Sequence, residues 1–148
     1  MNFHPKCLML RAFVEVHKKM SDADYWKVLG EIFNYVECNS ANTGIWLKLL
    51  KSPRPGREHL MDYDERTALA ALPGEFTVWR GASPEYKVGM SWTLDREKAM
   101  WFAEHRWTGA RVFQTVVKKT NVLAHFLSRD ESEIVVDPRE LDIVASQV

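Results

Sequence analysis

TVWRGASPEYKVGMSWTLDREKAMWFAEHR, residues 77–106, decides how the chain is read. Phe76 to Trp79 is rich in β-branched and aromatic residues and reads as a strand. Arg80 and Gly81 stand at its end. A loop follows, then a short strand from Met90 to Thr93 that carries Ser91 and Thr93 two apart. Thr93 or Asp95 can cap a helix from about Arg96 to His105, with Ala99, Phe102 and Ala103 inward. Strand, loop, strand and helix in 30 residues is the grammar of a mixed fold rather than a bundle or a sandwich.

Downstream, RVFQTVVKK (111–119) alternates as a strand does, and NVLAHFL (121–127) reads as extended or turn-like. ESEIVVD (131–137) is a strand ending before Pro138, and LDIVASQV is a last strand. Upstream the period changes. Leu8, Leu10, Phe13, Val14 and His17 fit one helix. Ser21 is placed to cap a second, in which Trp26, Leu29, Phe33 and Val36 recur at three- and four-residue steps. A short helix is expected over Ile45–Lys51, a turn at SPRPG (52–56), and another helix over Asp64–Leu72. The expectation is an α+β fold in one domain, 1–148. A mainly helical subregion, 1–74, precedes a strand-rich core, 75–148, whose sheet is antiparallel or mixed.

Charge and composition narrow the function. Lys plus Arg number 20 and Asp plus Glu number 20, so the net charge is zero. Broad phosphate neutralisation, the mark of many nucleic-acid binders, is disfavoured. Cys7 and Cys38 lack metal-ligand spacing and read as small buried hydrophobes in a reducing compartment. The five histidines show no ligand spacing either, and His125 reads as a packed residue. No metal is expected. The start lacks a signal-peptide pattern and no run is long enough to span a bilayer, so a cytoplasmic protein with no membrane partner is expected. Neither GxxxxGK nor GxGxxG occurs.

Three elements stand in order: Arg80-Gly81, Ser91-x-Thr93 and Glu131-x-Glu133. A guanidinium is a planar, permanently charged fork suited to a pyrophosphate. Without a side chain, Gly81 allows close approach of a flat ligand. On a strand, Ser91 and Thr93 share a face, as do Glu131 and Glu133, while Trp92 points the other way into the core. Each motif also has a plain structural reading: Arg80 in a surface ion pair, Thr93 as a cap, and the glutamates as charge guarding an edge strand.

The set resembles the arginine, Ser-x-Thr/Ser and Glu-x-Glu signature of the ADP-ribosyltransferase superfamily, over roughly Phe76–Pro138. The resemblance implies a split β-sheet core behind a helical subdomain, with NAD as substrate. It implies that Arg80 holds the phosphates and that the Gly81 backbone pairs with the nicotinamide carboxamide. Ser91 and Thr93 would serve the ribose, Glu133 would catalyse, and Glu131 would activate the acceptor. A toxin- or phage-type enzyme modifying a host protein, at arginine by the family pattern, is the expected activity. A nucleic acid acceptor stays open. So do an inactive binding module that inhibits a host complex, and an NAD glycohydrolase. Family members carry an aromatic residue between the serine strand and the glutamates. Trp107 and Phe126 are both candidates here.

Overall fold

The computed structural model describes residues 7–36, 42–105, 108–128, 131–142 and 144–145. The fold is α+β, with helices first and an antiparallel sheet after them. The chain divides into two compact units, Met1–Arg66 and Thr67–Val148. The boundary falls inside a helix, earlier than the change of sequence pattern near residue 74.

The first unit is built on helices α1 (Leu8–Val16), α2 (Asp22–Tyr35) and α3 (Thr43–Leu50). Ser21 caps α2, its hydroxyl accepting from the Asp24 N–H at 3.2 Å. Leu10, Phe13, Trp26, Leu29, Phe33, Trp46 and Leu50 are all buried, whereas Leu8 and Val14 of the expected first-helix stripe are exposed. Their rings meet at tilted or edge-on angles, with Tyr25 against Trp26 at 5.0 Å and Phe33 against Trp46 at 5.0 Å, the arrangement that ring quadrupoles favour. Tyr25 donates its hydroxyl to Leu49 O at 2.8 Å, which satisfies the one polar atom of a deeply packed ring.

The turn SPRPG does more than reverse the chain. Gly56 takes φ +90°, a left-handed conformation that a side chain disfavours. The turn delivers Arg54 onto the first two helical elements. Arg54 donates to His17 O at 2.9 Å, to Met20 O at 2.6 Å and to the Asp22 carboxylate at 2.9 Å, and its guanidinium lies 4.5 Å from the centre of the Tyr25 ring. The carbonyls at this helix end would otherwise need water as partner. Burial, with Lys18, Arg54 and Lys48 nearby, depresses the His17 pKa.

α4 (Tyr63–Ala71) starts with a reciprocal cap. Asp62 Oδ1 accepts from the Glu65 N–H at 2.8 Å, and Glu65 Oε1 accepts from the Asp62 N–H at 2.9 Å. This two-way exchange sets the start one residue before the expected Asp64.

The second unit carries one six-stranded sheet: β1 (Glu75–Ala82), β2 (Ser91–Thr93), β3 (Arg111–Lys118), β4 (Val122–Phe126), β5 (Glu133–Val136) and β6 (Val144–Ala145). Their order across the sheet is β4-β5-β2-β1-β3-β6, and every pairing is antiparallel. Within the segment expected as extended or turn-like, 121–127, residues Val122–Phe126 form a strand. Its ladder against β5 shifts register between Val122 and Ala124. α5 (Arg96–His105) has the bounds the sequence gives it.

Alternation divides the residues of the sheet. Val78, Trp92, Phe113, Val117, Ile134 and Val136 form a buried cluster on one face, flanked by Leu72, Phe76 and Leu141. The other face receives α5 at Gly81. A Cβ added there would lie 2.2 Å from Ala99 O and 2.9 Å from Ala103 N. Trp101 is 51% exposed and stacks on His105 at 4.7 Å.

Replacing Arg54 tests the weight of its clamp. Arg54→Ala removes several hydrogen bonds to a charged donor and is expected to cost about 2–3 kcal/mol in urea unfolding. Arg11→Ala, which breaks the exposed Arg11–Glu15 pair, is expected to cost no more than about 0.5 kcal/mol.

Candidate functional site

The three motifs sit on three adjacent strands: Arg80-Gly81 on β1, Ser91 and Thr93 on β2, and Glu133 on β5. Thr93 stands directly opposite Trp79 on one side and Glu133 on the other. Gln114 faces Trp79, and Phe126 faces Glu133. One row therefore runs Gln114, Trp79, Thr93, Glu133, Phe126 across five strands on a single face. Directly opposed side chains on such a face hold their Cβ atoms about 4.5–5.5 Å apart, so a hydroxyl and a carboxylate can meet. Ser91 is opposite Val135 and shares the Thr93 face, which places it diagonal to Glu133.

β1 pairs with β3 over all eight of its residues, whereas its register with β2 is the single pair Trp79 opposite Thr93. Past that point a side chain bridges the two strands. Arg80 Nη1 donates to Ser91 O at 2.9 Å, and Arg80 Nε donates to Tyr86 O at 3.2 Å. A strand carbonyl points along its sheet, so a donor bonded to it lies close to the sheet's own plane. The guanidinium thus occupies the opening between β1 and β2. Gly89 makes room for it, since a Cβ there would come within 2.5 Å of Arg80 Cζ. Trp92 Nε1 donates to Gly89 O at 2.9 Å and holds that backbone in place.

This geometry alters several expectations. Alternation sends Arg80 out of the face opposite to Thr93 and Glu133, and only its turn into the strand opening brings it beside Ser91. Gly81 has its Cβ position filled by the α5 backbone, so helix packing by itself accounts for the glycine. The Thr93 hydroxyl accepts from the Asp95 N–H at 3.0 Å, and Asp95 then caps α5 through the Glu97 and Lys98 N–H groups. Both residues proposed as caps take part in starting the helix.

Glu131 is not on a strand. β5 begins at Glu133, and Glu131 lies two residues before it, its N–H donating to Ser128 O at 3.2 Å. Period-two alternation therefore does not fix the direction of Glu131, and it overreached because the ladder stops two residues short of it. Trp92 is buried core, as expected. Phe126 is buried beside Glu133, and Trp107 lies outside the described residues.

Sequence reasoning missed three participants. Gly89 shapes the Arg80 seat; its place in a Gly-Met-Ser run before a strand was the available signal. Trp79 stands beside Thr93, and its indole N–H is buried without a hydrogen-bond partner among the described residues. His125, read only as packed, is 2% exposed with Nε2 3.0 Å from Ser132 Oγ, and burial lowers its pKa.

Among the described residues no group of three or more His, Cys, Asp or Glu is arranged to hold a metal ion, and no helix is long and apolar enough to cross a membrane. Cys7 is buried, with the Asn42 amide 3.6 Å from its Sγ; Cys38 is outside the described residues. A cavity of about 580 Å³ lies along β3, lined by Thr77, Gln114, Lys118, Asn121, Glu140 and Asp142 among others. It includes neither Arg80 nor Glu133. No family model, curated protein or solved structure matches the chain.

The Arg80 seat can be probed without a ligand. Arg80→Ala removes the bond to Tyr86 O within the 83–90 loop and the bond to Ser91 O next to it, and is expected to speed chymotryptic cleavage after the exposed Tyr86 about ten-fold, the equivalent of one charged hydrogen bond. Gly89→Ala is expected to act in the same direction. An unchanged cleavage rate in Arg80→Ala would show that the loop does not depend on the arginine.

Proposed function

We propose that the protein is an NAD-dependent mono-ADP-ribosyltransferase that modifies a protein side chain. The observation that carries this reading is the juxtaposition on β1, β2 and β5: Glu133 beside Thr93 on one face, and Arg80 in the strand opening one row away. Motifs separated by 53 residues of chain converge on three neighbouring strands. The donor chemistry suits the dinucleotide. A guanidinium matches a pyrophosphate, and hydroxyls and a carboxylate match ribose hydroxyls.

The reaction breaks the bond between C1 of the ribose and the nicotinamide nitrogen. The bonding electron pair leaves with the nicotinamide, and positive charge develops near C1. A fixed Glu133 carboxylate that accepts from the ribose 2′-hydroxyl stabilises that charge, because it is already oriented before the bond stretches. Thr93 and Ser91 hold the carboxylate and the ribose in register. The acceptor then bonds to C1 and gives up a proton, for which Glu131 is the nearby base. Arginine is the acceptor that the outer glutamate favours, and a host protein is the partner proposed. Transfer to water, as in an NAD glycohydrolase, would use the same first step and leave Glu131 idle.

One observation favours a second reading. Bonds from Arg80 to Ser91 O and Tyr86 O give the arginine a structural task that needs no cofactor. On that reading the chain is an inactive member of the same architecture that docks on a host complex.

Glu133→Gln separates the two. On the transferase reading the parent releases nicotinamide from NAD, and Glu133→Gln lowers kcat about 10²–10³-fold with little change in NAD affinity. Equal rates in parent and variant would remove Glu133 from the mechanism. A parent with no nicotinamide release and no heat on titration with NAD would leave the binding module.

A further inference from the structure

We propose that His125 is a positioning residue that sets the acidic segment from beneath the sheet, an inference that rests on the transferase reading above. Glu133 is the first residue of β5, paired with Thr93 and Phe126 on its two flanks, but no ladder pair precedes it along the chain. The two residues before it must be fixed by other means. Among the described residues three bonds do so. The Glu131 N–H donates to Ser128 O at 3.2 Å, and Ser132 O accepts from the Leu94 N–H at 3.1 Å. The third is the side-chain bond between Ser132 Oγ and His125 Nε2, at 3.0 Å.

The direction of that third bond matters. His125 stands opposite Ile134 in the β4–β5 ladder. Ser132 precedes Ile134 by two, so in an extended chain both side chains leave on the His125 side. Glu133 then leaves on the other side, toward Thr93. Gripping the serine on the core face turns the glutamate to the opposite face, the one that carries Thr93 and receives α5. A buried imidazole is costly to place unless a partner satisfies it. A valine or isoleucine at this position would pack as well but could not hold a hydroxyl. The Ser132 hydroxyl, in turn, can both donate and accept, so it bonds whichever tautomer the ring adopts.

A packing role and a positioning role differ in what they move. His125→Phe and Ser132→Ala each cut the link. His125→Gln keeps a polar nitrogen or oxygen near the place of Nε2. The expected result is a fall in kcat for nicotinamide release of about 10- to 100-fold in Ser132→Ala and in His125→Phe, at nearly constant KM for NAD. The double variant His125→Phe/Ser132→Ala is expected to fall no further than either single one, because one link is lost in each case. His125→Gln is expected to recover most of the rate. An activity-independent readout accompanies these rates. Amide exchange at Leu94, whose acceptor is Ser132 O, is expected to speed about five-fold or more in Ser132→Ala, while Val136 N–H is unchanged.

Ser132→Ala with parental kcat, or strictly additive losses in the double variant, overturns the proposal. So does an unchanged Leu94 exchange rate. A parent that releases no nicotinamide overturns the transferase reading instead. The Leu94 amide then still decides whether His125 anchors the acidic segment.

Discussion

Pairing on both flanks of Thr93, with Glu133 on β5 and with Trp79 on β1, is the constraint that ties the middle of the sheet together. It joins β2, only three residues long, to β5, and β2 joins β5 to β1 in turn. Thr93 opposite Trp79 is the single registered pair between β2 and β1, while Thr93 opposite Glu133 is one of three between β2 and β5. The same pairing sets a hydroxyl and a carboxylate side by side on one face, at the row where β1 and β2 meet only once. Beyond that row the bridge is a guanidinium rather than a ladder. A short central strand makes a sheet easy to open, and the Arg80 bond to Ser91 O holds the opening at a fixed width.

Two consequences follow for the chemistry. Electrostatic stabilisation of a developing positive charge requires a carboxylate that does not need to reorient. Glu133 is flanked by Thr93 on β2 and Phe126 on β4, and on the proposal above the His125–Ser132 link fixes the residue before it. Arg80, by contrast, reaches its seat through a long side chain that crosses from one face to the strand opening. A long side chain can exchange carbonyl partners for phosphate oxygens with little movement of the backbone. On the transferase reading proposed above, a fixed carboxylate and an adaptable guanidinium would suit the two halves of a dinucleotide.

Much of this was legible in the residues. The Trp26, Leu29, Phe33 stripe and the Ser21 cap specify α2, because burial and capping act locally and leave a period in the sequence. α5 could be bounded for the same reason: Asp95 begins it. The strand 122–126 was harder. VLAHF mixes apolar residues with histidine and lacks alternation, since its register shifts at the bulge and three consecutive residues are buried. Arg80, Ser91, Thr93 and Glu133 could be named from motif order, yet their faces could not. Period-two reasoning works only where the ladder is continuous, so it fails at Glu131, where β5 has not begun; at Arg80 it gives the face but not the turn of the long side chain into the opening between β1 and β2. The roles of Gly81 and Gly89 depend on which backbone or side chain comes near them, and that is a tertiary fact.

The central claim is that one dinucleotide reaches both sides of this strand opening. A crystal structure of the protein with a non-hydrolysable NAD analogue tests it most directly. The account predicts pyrophosphate oxygens about 2.7–3.2 Å from the Arg80 guanidinium, and the nicotinamide ribose against Glu133, in the same molecule. A dinucleotide bound elsewhere, with Arg80 still on the carbonyls of Ser91 and Tyr86 and Glu133 untouched, would contradict it.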